Sequence, residues 1–227
     1  MPKTAPDARL RAAAAYVRQD ACFADIGTDH AYLPVFLLQT GKISHAIATD
    51  IARGPLDRAR ATAEEAGLLD RVSLRLTSGL CGLENDGITD ASICGMGGEL
   101  IASLLEASPF VRTPDLRLIL QPMTRAAHLR RYLAKEGFIV EDETLCRAGG
   151  RLYACLCVHY GGTPYTLSPL EALLGVPELT RGEQDPLFLP YVKSHVQTLT
   201  RAVTGRQMGG QDPHEDLTLL HELEALL

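Results

Sequence analysis

Two aspartates sit where an apolar run gives way to a glycine turn. The first is in Asp25-Ile26-Gly27-Thr28-Asp29-His30-Ala31-Tyr32-Leu33-Pro34, where the run 21–26 ends and a helical pattern begins. A strand, a glycine turn and a helix start make the place where doubly wound folds bind nucleotides. A dinucleotide site needs GxGxxG so that backbone can approach a pyrophosphate. Here Gly27 stands alone and Asp29 occupies the place of the second glycine. A carboxylate there repels a pyrophosphate and suits an ammonium or a sulfonium, and S-adenosylmethionine carries both. Asp25 reads otherwise as an acid capping the helix that follows. Asp50-Ile51 closes the second run, where two carboxylate oxygens can accept from both ribose hydroxyls of an adenosine. An acid after a strand is common, so Asp50 gains weight only beside Asp25 and Gly27.

Three further strand ends carry polar or flexible residues. Ser78-Gly79-Leu80 follows the third run, where Ser78 can bond a base edge without bringing charge. Cys94-Gly95-Met96-Gly97-Gly98 follows the fourth. Its glycines either let backbone approach a ligand or let a helix lie close on the sheet. Gln121-Pro122-Met123 follows the fifth, and Gln121 has the donor and acceptor to read a base. Arg125, His128, Arg130, Arg131 and Lys135 come next, the densest basic stretch of the chain. They fit an RNA contact or a solvated helix face.

The elements that must position these residues alternate. Strands are expected at 21–26, 45–49, 72–77, 90–94, 116–120, 138–145 and 152–159, and helices at 7–18, 31–40, 54–66, 98–107 and 124–136. Near-continuous apolar strands alternating with helices are the pattern of a parallel sheet covered on both faces. Arg147-Ala148-Gly149-Gly150 is a hairpin turn, so five parallel strands should precede one antiparallel hairpin. Beyond Gly161-Gly162, residues 163–182 read as irregular chain with a short helical piece. A helix over 185–205 carries Leu189, Val192, Val196, Leu199 and Val203 at 3/4 spacing. Asp212-Pro213-His214-Glu215 then offers an N-cap, a first-turn proline and a glutamate three residues on. The last helix repeats the spacing at Leu217, Leu220, Leu223 and Leu227. These two helices should form an antiparallel, coiled-coil-like hairpin.

Composition limits the alternatives. At 227 residues, 46% hydrophobic and 22% charged, the chain has the mix of a globular protein rather than a disordered one. No apolar run reaches the ~18 residues of a membrane span. The first twenty residues lack an apolar signal core, so a cytoplasmic protein without membrane attachment is expected. The six cysteines include no CxxC pair, which fits buried reduced thiols rather than a metal site. The net charge of −6 argues against a general basic tail, yet residues 116–160 carry +3 where 61–115 carry −6. A local basic patch on an acidic enzyme remains open.

DIGTDHAYLP, AIATDI followed by a Gly-Pro, DASICGMGG and LILQP occur in that order, and over residues 5–160 the chain resembles the bacterial tRNA adenine-22 N1-methyltransferase family. The resemblance implies an α/β, Rossmann-like, seven-stranded methyltransferase domain over 1–162 and a tRNA-contacting helical hairpin over 163–227. It implies S-adenosylmethionine as cofactor, tRNA as partner, no metal, and a monomer or weak dimer. Carried onto this sequence, the cofactor residues are Asp25, Gly27, Thr28, Asp29, His30, Asp50, Ile51, Ser78, Gly79, Leu80, Gly95 and Met96. The residues about the reacting atoms are Asp29, His30, Gly95, Gly97, Gln121 and Pro122, and those on the RNA are Arg125, Arg130 and Arg131. Two departures stand out. The family's fifth strand typically ends in Gln-Pro-Asn, where this chain has Met123, and the family usually has glutamate where Asp50 stands. Methionine cannot bond a base as asparagine does. A same-fold enzyme acting on another RNA or a small molecule, or a binding module that has lost its chemistry, are the other readings.

Overall fold

The apolar runs become seven strands of one sheet in the computed structural model, which describes residues 6–227. The first five residues of the expected 1–162 unit lie outside the described residues. In chain order the strands are β1 (Phe23–Ile26), β2 (Ala46–Asp50), β3 (Val72–Leu76), β4 (Asp90–Gly97), β5 (Arg117–Thr124), β6 (Phe138–Ala148) and β7 (Arg151–Tyr160). Their spatial order is β3-β2-β1-β4-β5-β7-β6. Strands β1 to β5 pair in parallel, while β7 runs antiparallel to both β5 and β6. The expected parallel set and hairpin are therefore present. The chain leaves β1 for β2 and β3, then crosses back to β4 on the other side of β1. That reversal opens a crevice at the carboxyl ends of β1 and β4.

The crossovers are helical: α1 (Ala8–Tyr16) leads in, and α2 (Tyr32–Gln39), α3 (Arg53–Glu65), α4 (Gly98–Glu106) and α5 (Ala126–Lys135) follow β1, β2, β4 and β5. Strands β4 and β5 run farther than expected. Gly95 at φ +81° steps out of register, and pairing resumes at Met96 with Pro122 and Gly97 with Thr124. Because Thr124 is still in the strand, α5 begins at Ala126 rather than 124. Two apolar clusters lie on the faces of the sheet, one containing Ile26, Ile93, Leu118 and Leu156, the other Phe23, Val35, Ala48 and Ile119. Each such aliphatic side chain, fully buried, contributes about 1.5–3 kcal/mol.

Residues 163–182 are more regular than expected. They hold two short helices, α6 (Pro169–Leu174) and α7 (Val176–Arg181), with a Ser168 capping box at the start of α6. Helices α8 (Phe188–Met208) and α9 (His214–Glu224) fold back on one another, tied by Arg206 to Asp216 at 3.0 Å. Val192, Val203, Leu220 and Leu223 are buried as the spacing requires. Leu227 lies past the end of α9 and is exposed, so it does not extend the stripe. Pro213, not Asp212, stands at the N-cap of α9 and the expected capping box does not form; Asp212, one residue earlier, accepts from the His214 N–H at 2.9 Å. Leu174, Phe188, Tyr191, Val192 and Leu223 belong to the same apolar cluster as the sheet.

A buried ion pair joins the sheet to this C-terminal segment. A bulge in β6 between Val140 and Asp142 gives the strand an extra residue, and Glu143 is fully buried beyond it. Arg130 of α5 meets Glu143 with two nitrogens and donates to the carbonyls of Ala172 at 2.9 Å and Leu173 at 2.8 Å. Arg130 is 1% exposed, which corrects its expected place on the RNA: its charge is spent inside the protein. Arg131, next in the chain, is exposed. Removing one partner of a buried pair strands the other charge, so Arg130→Leu should cost about 3–5 kcal/mol. Arg131→Leu should stay within about 0.5 kcal/mol. Urea melts of the two variants check this, and equal losses would refute the assignment.

Candidate functional site

Gly27, Thr28 and the residues after them are fixed by backbone that only a few residue types tolerate. Gly27 has φ +70°, and a Cβ there would lie 2.1 Å from the Met96 Cε, so the position needs glycine. Asp29 at φ +51° and Ala31 at φ +54° also occupy the left-handed region, which is strained for residues with a Cβ. The loop is held there by several bonds. The N–H groups of Gly27 and Thr28 donate to the Thr49 carbonyl at 2.9 Å, and the Asp29 N–H donates to Asp50 Oδ2 at 3.3 Å. Asp50 Oδ1 accepts from the Ala52 N–H at 3.1 Å, so β1 and β2 share one carboxylate at their tips.

Asp25 is 5% exposed and lines a crevice of about 370 Å³ together with Arg9, Gly27, Asp29, His30 and Met96. Ser92 Oγ and Thr28 Oγ1 donate to its two oxygens at 2.5 and 2.7 Å. It therefore does not cap α2, the alternative open at the sequence level. Burial pushes its carboxyl above the usual range; the two hydroxyls oppose that shift and nearby Asp50 adds to it. No cation pairs with it among the described residues. The other acid of the loop differs, because Asp29 is exposed and paired with Arg58 at 2.5 Å, with His30 at 3.6 Å. His30 stacks on Tyr32, ring centroids 4.9 Å apart.

A second hollow of about 220 Å³ shares Gly27 and Met96 with the first and continues past Asp50, Ile51, Ser78 and Gly79 to Leu100 and Leu104. The two form one elongated site. One end has a buried uncompensated acid and an arginine; the other has a carboxylate beside an apolar slot. Ile51 is 74% exposed, an apolar face available to a flat ring. Leu80 is instead part of the core and lines neither hollow, because its side chain is apolar and 1% exposed.

The tips of β4 and β5 close the site. Gln121 is fully buried, accepting from the Gly95 N–H at 3.2 Å and donating to the Pro122 carbonyl at 3.0 Å. Its amide is committed to backbone, which corrects the expectation that it reads a base edge. Gly95 has open space above its Cα, whereas a Cβ on Gly98 would lie 2.4 Å from the Arg125 carbonyl. Both readings of the glycines thus hold, at different residues: Gly98 packs α4 against α5, and Gly95 leaves room in the crevice. Gly97 lies between them as the N-cap of α4. Burial pushes the Cys94 thiol well up, so it is a wall of the crevice and not a nucleophile. Among the described residues no cluster of three or more His, Cys, Asp or Glu is arranged to hold a metal.

Arg9 was invisible to sequence reasoning. Its guanidinium is held by Asp7 at 2.7–2.9 Å, touches the Met123 sulfur at 2.7 Å and lies 5.7 Å from the Tyr153 ring centroid. It joins α1 to β5 across 114 residues of chain, a contact no local pattern announces. Ser92, which holds Asp25, was likewise hidden within an apolar strand.

Comparison with known proteins agrees with this layout. Residues 7–156 match the family described as Methyltransferase domain. The tRNA (adenine(22)-N(1))-methyltransferase of Bacillus subtilis is 40% identical over 183 residues, 80% of this chain and 77% of that protein. The crystal structure of the B. subtilis tRNA methyltransferase TrmK covers 96% of this chain and 93% of its own, with 32% identity and a TM-score of 0.78. That of Streptococcus pneumoniae Sp1610 in complex with S-adenosyl-L-methionine covers 95% and 97%, with 32% identity and a TM-score of 0.82. By domain match, by identity over most of both sequences and by shared architecture, this chain belongs to the tRNA (adenine(22)-N(1))-methyltransferase family.

Proposed function

We propose that this chain transfers a methyl group from S-adenosylmethionine to N1 of adenine 22 in tRNA, acting as a cytoplasmic monomer or weak dimer. Similarity to the tRNA (adenine(22)-N(1))-methyltransferases supports the acceptor, and the observation that carries the cofactor is the buried Asp25 carboxylate, without a cation of its own, at one end of a crevice whose other end offers Asp50 beside an apolar slot. A buried carboxylate with hydroxyl donors but no counter-charge is costly, and a ligand ammonium or sulfonium supplies the missing charge. No helix among the described residues is long and apolar enough to cross a membrane.

The residues present suit the cofactor. Asp25 and Thr28 would hold its charged amino-acid end, Arg9 would offer a cation to its carboxylate, and Asp50 would offer acceptors to ribose hydroxyls. Ile51, Ser78 and Gly79 would border the base, and Gly27, Gly95 and Met96 would line the middle. When bound, S-adenosylmethionine supplies an electrophilic methyl on a sulfonium. The acceptor, adenine N1, has an in-plane lone pair and needs no proton removed first. The chain therefore has to seat and orient the base, exclude water and bear the positive charge that the product acquires. Gly97, Gln121 and Pro122 act by positioning the two strand tips, and Asp29 and His30 by closing the loop above them. The target base must be turned out of the folded tRNA to reach this place. Residues 163–227, with Arg125 and Arg131, are read as the side that meets the RNA.

Mass mapping of nucleosides from tRNA incubated with the protein and labelled cofactor should find 1-methyladenosine at position 22. Label on a small molecule, on another tRNA position, or nowhere would refute the assignment. Asp50→Ala should weaken S-adenosylmethionine binding by about 1.5–3 kcal/mol, the value of hydrogen bonds to a charged acceptor. Unchanged affinity by calorimetry would remove Asp50 from the site.

Asp25→Asn separates stability from binding. Because burial raises its pKa, the folded chain holds the Asp25 proton more firmly than the unfolded chain does. Wild-type stability is therefore lost as pH rises from the ordinary aspartate range through the raised folded value. The asparagine variant lacks that loss, so it should be the more stable protein at neutral pH and the poorer binder of S-adenosylmethionine. Urea melts across pH with calorimetry at pH 7 test the pair of effects.

A further inference from the structure

A cavity of about 510 Å³ lies beyond the tip of β5, between the β6–β7 turn and α8. Met123 and Tyr153 form part of its apolar lining, and Arg125, Arg147, Arg151 and Lys193 carry its charge. Among the described residues no aspartate or glutamate lines it, in a protein whose net charge is −6. Among the described residues, Arg125 alone of the four cations has an acid within 4.0 Å, Glu99 at 3.7 Å, both largely exposed. Like charges around one hollow reinforce each other's potential and favour an anion there.

Two observations point to a polymer rather than a lone ion. Met123 borders this cavity and also touches Arg9, which lines the crevice of Asp25, so the two sites meet at the end of β5. Helix α8 then leads away from the cavity with no acid in its 21 residues and with Arg201 exposed farther along, while α9 carries the acids of the pair. His195 also lines the cavity, edge-on to Tyr191 at 4.5 Å, and its Nε2 is buried without a hydrogen-bond partner. Burial and Arg130 push His195 down to about 4, so it is neutral near pH 7 and the charge of the hollow belongs to the four cations.

We propose that this cavity seats the RNA strand next to the target adenine: one neighbouring nucleotide, its phosphate held by Arg147, Arg151 and Lys193 and its base against Tyr153, with the strand continuing along α8. The inference rests on tRNA as the substrate and adds where the strand is gripped. Arginine forks match phosphate oxygens in pairs, and an aromatic face takes any base. The two arginines flank an exposed Gly149-Gly150 turn, so they can be exchanged without disturbing the core.

The test compares Arg147→Glu/Arg151→Glu and Lys193→Glu with wild type, and with Arg60→Glu on α3 as a control for net charge. Expected for the cavity variants is a KM for tRNA raised at least roughly tenfold, with kcat at saturating tRNA within about threefold. The slope of log Kd for tRNA against log salt should fall by about one per cation removed. Affinity for S-adenosylmethionine and thermal stability should not change, and Arg147→Lys/Arg151→Lys should recover most of the salt slope. Wild-type methylation of tRNA with unchanged KM and slope in the variants overturns the inference alone. Absence of methyl transfer to tRNA by the wild-type chain overturns the functional reading and this inference with it.

Discussion

A carboxylate buried without a counter-charge is among the most expensive features a protein interior can hold, and the carboxyl ends of β1 and β4 are organised around one. Asp25 sits where the strand order reverses, so no crossover helix covers it. Ser92 reaches it from the neighbouring strand and Thr28 from its own turn. Those two hydroxyls reduce the cost without cancelling it, because neither brings a charge. The loop above, the contact between Gly27 and Met96, and the shared carboxylate at Asp50 all follow from keeping that acid dry yet reachable. Binding selectivity then comes from what the chain leaves uncompensated.

The second buried charge is handled the opposite way. Arg130 and Glu143 satisfy one another completely, and the spare guanidinium nitrogen takes two carbonyls at the end of α6. Gly175 follows, where a Cβ would collide with the Glu143 carboxylate. Helix α5, the long hairpin and the C-terminal helices are thereby fixed in register at one point. Such a pair adds little net stability over a well-packed apolar core, but it allows few alternative arrangements. Helix α8, one wall of the basic cavity, packs Tyr191 and Val192 into the same apolar cluster as Leu129 of α5 and Leu174 of α6.

Strand and helix types are legible because β1, β2 and the cores of β4 and β5 are largely apolar and buried, and because the two C-terminal helices repeat at 3/4 spacing; the ends are not. Strands β4 and β5 outran their apolar cores because Gly95 shifts register, a step that depends on the neighbouring strand. The acids of the crevice could be read, since an acid closing a strand before glycine is a local pattern. Their partners could not: Arg9 meets Met123 across 114 residues, and Ser92 looks like any small residue in a strand. The basic run after β5 shows the limit most plainly. Arg130 and Arg131 are adjacent and chemically identical, yet one is sealed inside and the other faces water. Helix phase decides which: Arg130 shares the buried face of α5 with Leu129, Leu133 and Ala134, and Glu143 meets it there. Arg147 and Arg151 carry no local signal of a grip, because a glycine turn between strands reads as a connection.

The left-handed backbone at Asp29 and Ala31 also bears on how this protein could be made more robust. Relieving a residue with a Cβ from that conformation is worth roughly 1–2 kcal/mol. Glycine at the buried Ala31 relieves that strain but gives up a buried methyl and adds freedom to the unfolded chain, so the two sides nearly offset. It would also loosen the turn that carries Thr28 and Asp29 over the crevice, returning to the unliganded chain a freedom the ligand must then remove. At this residue the conformation that costs the free chain something is the same one that holds Thr28 and Asp29 at the crevice.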